Sequence, residues 1–207
     1  YTPDSIFPNN WISFHANADI ALYPMFAENR RRERRTDILE QIESQGFVIK
    51  NVVDYTSAED EAIYLEGTGS LILDREYRKA YCAISPRADE DLLIEFCEDF
   101  EFTPVIFQAN QTVDNQRLPI YHTNVMMCIG DKFAVIWLDS IDNPKERKAV
   151  VSSLKQDGKE IIAISEVQMH QFAGNMLQLA STNGSSYLIM SETARKSLTS
   201  SQVKTIE

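Results

Sequence analysis

Four polar residues recur at nearly constant spacing. Asn10, Glu66 and His122 lie 56 residues apart, and Asn175 follows 53 later. A carboxylate, an imidazole and two carboxamides are groups from which proton-transfer and hydrogen-bonding sites are assembled. In a chain of repeating units, equivalent positions fall around one axis, so these four groups would face a common centre. Each alone has an ordinary reading: Asn10 a turn residue, Glu66 a solvated strand edge, His122 a satisfied histidine, Asn175 a helix-to-strand cap. The shared period sets them apart. Other candidates carry less. The run Asn29-Arg30-Arg31-Arg32-Glu33-Arg34-Arg35 could grip a carboxylate through the guanidinium fork, but a solvated helix start with Glu33 pairing locally accounts for any single member. His15 and His170 lack partners at suggestive spacing. Three histidines without a surrounding Cys or carboxylate pattern argue against a metal site. Gly67-Thr68-Gly69 is too short for a phosphate loop and runs into a strand, whereas phosphate cradles open onto helices.

The elements that position these residues repeat with a period of roughly fifty-five residues. From Trp11 the sequence predicts a strand, a turn at 17–19, a second strand through Tyr23, a helix over 29–44 ended by Gly46, and a strand over 47–53. The order recurs as strand 70–73, turn 74–78, strand 80–84, helix 89–100 and strand 103–107. Leu92, Leu93, Phe96, Cys97 and Phe100 form that helix's apolar stripe. A third copy reads strand 124–129, turn 130–132, strand 133–138, helix 144–156 opened by Pro144, then Gly158 and strand 160–164. A fourth begins at 175–179, turns at Asn183-Gly184 and returns through 187–190. The unit is ββαβ, with three and a half copies in view. A last helix is expected over 202–207 after a Ser200 or Ser201 cap. The chain starts at Tyr1 close to an apolar stretch and stops inside that helix, so truncation at both ends is expected, with 1–207 as one domain.

Composition narrows the function. The 207 residues are 43% hydrophobic and 25% charged, with a net charge of −11, which is globular rather than disordered. The excess of acid disfavours a nucleic-acid partner. The apolar runs fall short of the roughly 18 residues that suggest a membrane span. Cys82, Cys97 and Cys128, odd in number and scattered, suit a reducing cytoplasm. Asn110-Gln111-Thr112 and Asn183-Gly184-Ser185 match the glycosylation sequon, but no signal peptide accompanies them.

The blocks Pro3-Asp4-Ser5-Ile6-Phe7-Pro8-Asn9-Asn10-Trp11, Leu65-Glu66-Gly67-Thr68-Gly69-Ser70, Tyr121-His122-Thr123-Asn124 and Ala173-Gly174-Asn175 resemble the pentein superfamily of arginine deiminases, amidinotransferases and dimethylarginine dimethylaminohydrolases. Within it the chain looks most like citrulline-utilisation hydrolases, and the likeness covers essentially all of it. The resemblance implies an α/β-propeller of five pseudo-symmetric ββαβ units, incomplete here, acting on a small amino-acid substrate without cofactor or metal. It leaves a homo-oligomer open. It assigns Glu66 to the substrate's NH₂ end and His122 to general acid/base chemistry. Asp4, Asn9, Asn10 and Asn124 fall to substrate binding, and Arg87 to the substrate's α-carboxylate. The family nucleophile is a Cys in the fifth unit, beyond residue 207. Cys128 is an unsuitable substitute, since six extended residues put it roughly 20 Å from His122, and Cys82 and Cys97 read as buried structural thiols.

The implied reaction is hydrolysis of a C–N bond in a ureido or guanidino compound. Relatives that act on guanidino groups tend to carry acids where this chain has Asn9, Asn10, Gly69 and Asn124. Because an amide can donate to a ureido carbonyl and a carboxylate cannot, the expectation is citrulline. Arginine deiminase or amidinotransferase activity, and a non-catalytic binding module on the same fold, are the alternatives.

Overall fold

A computed structural model describes residues 2–206. Tyr1 and Glu207, the expected last residue of the C-terminal helix, lie outside the described residues. The elements in chain order are β1 (Ile12–Phe14), β2 (Asp19–Leu22), α1 (Glu28–Arg31), α2 (Thr36–Ser44), β3 (Asn51–Asp54), α3 (Gly67–Ser70), β4 (Leu71–Asp74), β5 (Lys79–Ala83), α4 (Glu90–Asp99) and β6 (Thr103–Phe107). There follow β7 (Asn110–Val113), β8 (Gln116–Pro119), β9 (Met127–Ile129), β10 (Phe133–Ile136), α5 (Pro144–Gln156), β11 (Glu160–Ala163), α6 (Glu166–Met169), β12 (Leu177–Ala180), β13 (Ser186–Ile189), α7 (Glu192–Ser197) and α8 (Ser200–Ile206).

Three sheets share one pairing order. In β1-β2-β3, β4-β5-β6 and β9-β10-β11 the first two strands run antiparallel and the third joins the second in parallel. The parallel join requires a crossover, which α2, α4 and α5 supply. A fourth antiparallel pair, β12-β13, turns at Asn183-Gly184. Local sequence explains the helix starts. The Asp89 side chain accepts from the Leu92 N–H at 3.0 Å, and Asn143 accepts from the Lys145 N–H at 2.9 Å ahead of Pro144; such caps satisfy donors that a first turn leaves open. On α4, Leu92, Leu93, Phe96 and Cys97 are buried, each large side chain contributing about 1.5–3 kcal/mol on burial. A larger core gathers Met127 of β9, Val135 and Ile136 of β10, and Val150 and Leu154 of α5 with Met126 and Trp137.

Several expected elements differ. The helix expected over 29–44 divides at Arg32–Arg35, with Arg35 extended. Arg30 reaches the Asp4 and Phe7 carbonyls, Arg31 the Met25 carbonyl at 2.9 Å, and Arg34 the Glu59 carboxylate. Arg31 and Arg34 thus converge on one region, since Arg31 Nε also lies 3.4 Å from the Glu59 carboxylate, while Arg30 turns to the N-terminal segment. The strand expected over 47–53 is confined to Asn51–Asp54, with Phe47 and Val48 exposed. Ser70 ends a helical turn instead of opening a strand, and Asn124 lies in a 3-10 turn, Thr123–Val125. The β7-β8 hairpin was not expected at all. Its turn residues Asp114 and Asn115 both take positive φ, 48° and 60°, as tight hairpins demand. Among the described residues no helix is long and apolar enough to cross a membrane.

Candidate active site

Glu66 and His122 are fixed by main-chain contacts before their side chains meet. The Glu66 N–H donates to the Arg87 carbonyl at 3.1 Å, and Leu65 bridges to Ala88. Gly67 then turns the chain at φ +38°, where a Cβ would stand 2.4 Å from the Asn9 carbonyl oxygen; only glycine admits both the turn and the approach. Ser70, at the end of α3, donates its hydroxyl to the same Arg87 carbonyl at 2.8 Å. Next to His122, the Thr123 hydroxyl accepts from the Ala83 N–H at 2.8 Å and donates to the Ser70 carbonyl at 2.5 Å. The His122 segment is thereby tied to β5 and to α3, the helical turn that Glu66 precedes.

His122 Nε2 lies 2.6 Å from Glu66 Oε2, a short contact in which the ring N–H donates to the carboxylate. Glu66 Oε1 accepts the Phe26 N–H at 3.0 Å, and Arg87 Nη1 stands 3.4 Å from Oε2. Both the acid and the imidazole are buried, Glu66 completely. Burial by itself pushes the Glu66 carboxyl up, yet the His122 hydrogen bond and charge, the Arg87 charge and the Phe26 N–H together hold it below the ordinary carboxylate value. With Nε2 committed to Glu66, Nδ1 is the ring nitrogen left to exchange a proton. It faces Gly69, where a Cβ would lie 3.1 Å from the ring and 2.8 Å from Asn10 Oδ1.

Asp4, Asn9, Asn10, Arg87, His122 and Asn124 all line one cavity of about 1040 Å³, and Asn175 lines it too. Glu66 does not line it and sits behind His122 and Arg87. The Asn9 amide donates to Asn10 Oδ1 at 3.0 Å, and the Asn175 amide to the Asn124 carbonyl at 3.1 Å. Arg87, assigned by resemblance to the substrate's α-carboxylate, pairs within the protein. Its guanidinium rests against Glu66 and over the rings of Phe26 and Tyr121, 5.6 and 5.1 Å from their centroids.

Sequence reasoning missed Phe26 and gave Tyr121 and Arg30 no part in building this site. Arg30 is buried, pairs with Glu33 at 3.0 Å and donates to the Phe7 carbonyl at 3.2 Å, so it holds the Asp4–Asn10 segment against the cavity. Glu33 does pair locally as expected, but in a buried setting rather than a solvated one. Tyr121 had a signal, its position beside His122; Phe26 and Arg30 are placed by tertiary contacts that spacing does not carry. Burial pushes the Cys82, Cys97 and Cys128 thiols each up to about 12, against thiolate formation. The extended-chain separation of Cys128 from His122 does not apply, because the Thr123–Val125 turn coils the connection; burial is what disqualifies that thiol. His15 stacks on Phe100 with centroids 4.1 Å apart, and burial, with Arg75 and Arg78, lowers its pKa to about 4. Among the described residues no group of three or more His, Cys, Asp or Glu could hold a metal ion.

The sequence model of the eukaryotic N,N dimethylarginine dimethylhydrolase family matches residues 1–207. The chain belongs to that family. It is thus a member of the pentein superfamily. The N-terminal domain of ArgZ, a cyanobacterial arginine dihydrolase of the ornithine-ammonia cycle, in a cysteine-to-serine variant bound to substrate, aligns with a TM-score of 0.66 at 15% identity, over 99% of this chain and 67% of that one. Unliganded AgrE aligns at 0.65 and 18% identity, over 88% of this chain and 26% of that one. A dimethylarginine dimethylaminohydrolase in an adduct with a substituted pyridine aligns at 0.53 and 16%, over 84% and 61%. This chain spans about a quarter of whole ArgZ and AgrE. At these identities the likeness establishes the fold, a mixed α/β arrangement of small sheets. No curated protein sequence matches.

Proposed function

We propose that this site hydrolyses a C–N bond of the guanidino group of a small arginine-type amino acid. The observation that carries the proposal is the buried Glu66–His122 hydrogen bond at the wall of a cavity ringed by polar side chains. In the proposed reaction a thiolate attacks the guanidino carbon, and His122 protonates the nitrogen whose bond to that carbon breaks, so that it leaves as an amine. Water, giving a proton to His122, then attacks the same carbon. The C–S bond breaks, releasing a ureido product and restoring the thiolate. Buried Cys82, Cys97 and Cys128 are unsuited to this role, so the nucleophile is proposed to come from outside these 207 residues. Asp4, Asn9, Asn10 and Asn124 would hold the substrate, in a single pentein domain of five ββαβ units.

Arginine-type substrates replace the citrulline expected from residue types. The family and the substrates named for ArgZ and AgrE lie on the guanidino side. The amide argument also weakens at Gly69, where a Cβ would crowd Asn10 Oδ1 at 2.8 Å and the His122 ring at 3.1 Å, so a missing carboxylate there reports crowding as much as substrate. A panel of L-arginine, dimethylarginine and L-citrulline, offered to the protein carrying this chain, is the test. A guanidino substrate should exceed citrulline in kcat/KM by at least about tenfold, equivalent to about 1.4 kcal/mol. Preference for citrulline would restore the ureido reading, and turnover of none would leave a binding module.

A further inference from the structure

We infer that Arg87 is an internal stand-in for the substrate's guanidinium, seated on Glu66 and exchanged for the substrate when it binds. The inference rests on the guanidino reading above and deepens it. The Glu66 carboxylate already holds three donors. Oε1 holds the Phe26 N–H, and Oε2 is shared by His122 Nε2 and Arg87 Nη1. With no solvent exposure left, a second cation cannot reach Glu66 unless one of these groups withdraws. Phe26 donates through its backbone, and His122 is tied through Thr123 to Ser70 and Ala83. Arg87 is the least enclosed of the three, its contact the longest at 3.4 Å. Its carbonyl is pinned by the Glu66 N–H and the Ser70 hydroxyl, but its side chain is 29% exposed. That side chain lies along the half-exposed Phe26 and Tyr121 rings, over which a guanidinium moves while keeping its attraction to the ring faces.

Charge pairing gives the exchange its direction. An amino-acid substrate brings a guanidinium at one end and a carboxylate at the other. When its guanidinium takes Glu66, the displaced Arg87 fork can accept the carboxylate, and each charge stays paired. A guanidinium without a carboxylate would displace Arg87 and leave it unpaired. Arg87 would thus select for substrates carrying both ends, and the parked state would tax the binding of all guanidinium compounds in proportion to its population.

Binding to the protein carrying this chain, measured by calorimetry with methylguanidinium, methylurea and L-arginine, tests this in wild type and in Arg87→Met. Removing the parked cation should strengthen methylguanidinium binding by about tenfold, the tax of a site parked roughly nine-tenths of the time, while weakening L-arginine relative to it. In wild type, ¹⁵N signals of the Arg87 guanidinium should shift on saturation with L-arginine, a readout that needs no variant to fold. Unchanged or weaker methylguanidinium binding in Arg87→Met would overturn the exchange, as would unmoved Arg87 signals in an L-arginine complex. Wild-type binding of methylurea but of neither guanidinium would instead overturn the guanidino reading, and the exchange with it.

Discussion

Replacing His122 with alanine in the protein carrying this chain should lower turnover by about two to four orders of magnitude, the usual span for removing a positioned general acid/base. The leaving nitrogen would then depart unprotonated, and the attacking water would have no base within reach. The fold should survive although Glu66 loses a buried partner, because Arg87 and the Phe26 N–H still face its carboxylate and the Thr123 hydroxyl still joins this segment to Ser70 and Ala83. Circular dichroism alongside steady-state kinetics separates fold from activity. Retention of more than a tenth of wild-type turnover by a folded His122→Ala protein would return His122 to an ordinary buried histidine.

Glu66 governs both activity and stability, and its variants should separate them. Glu66→Ala strips the acceptor from the Phe26 N–H, His122 Nε2 and Arg87 Nη1 at once. Breaking a buried charge pair by removing one partner costs about 3–5 kcal/mol, and chemical denaturation should register a loss of that size. Glu66→Gln keeps an acceptor and the shape, so most of the stability should survive while turnover falls by at least about tenfold, an oriented, charged partner for the imidazole being lost. The pH response follows from the lowered Glu66 pKa, whose opposing causes are burial, which raises it, and the stronger pull of His122, Arg87 and the Phe26 N–H. A carboxyl with its folded pKa depressed contributes stability that is complete above the unfolded value near 4.5 and is lost as pH falls through the lower folded value. Glu66→Gln should therefore flatten part of the wild-type loss of stability below pH 4.5. An equally steep acid limb in the variant would show that Glu66 is not held ionised by its partners.

The residues that punctuate the chain were legible because their effects are local. The helix that opens at Asp89, Pro144 at the start of α5, Gly46 and Gly158 with positive φ after helices, and Asn183-Gly184 turning β12 into β13 all stand where spacing put them. What escaped is set by distant partners. The Arg30–Arg35 run reads as continuous helix on spacing, but the chain breaks at Arg32–Arg35, and its side chains bond distant Phe7, Met25 and Glu59, which spacing does not announce. The β7-β8 hairpin had a signal in Asp114-Asn115, a pair tolerant of positive φ, that the neighbouring sequon obscured. For the site, the 56-residue period pointed to Glu66 and His122, and folding puts them 2.6 Å apart. No period announces that Arg87 bonds Glu66, because an acid and a base 21 residues apart in sequence are an ordinary sight until the backbone bridge Leu65–Ala88 sets them side by side.

A structure of the protein carrying this chain in complex with L-arginine is the most direct test. The account predicts the guanidino carbon beside His122, with its nitrogens on Glu66, its α-carboxylate on Arg87, and Arg87 withdrawn from Glu66. Arginine bound outside the cavity, or bound with its carboxylate toward His122 and its guanidinium toward solvent, would contradict it.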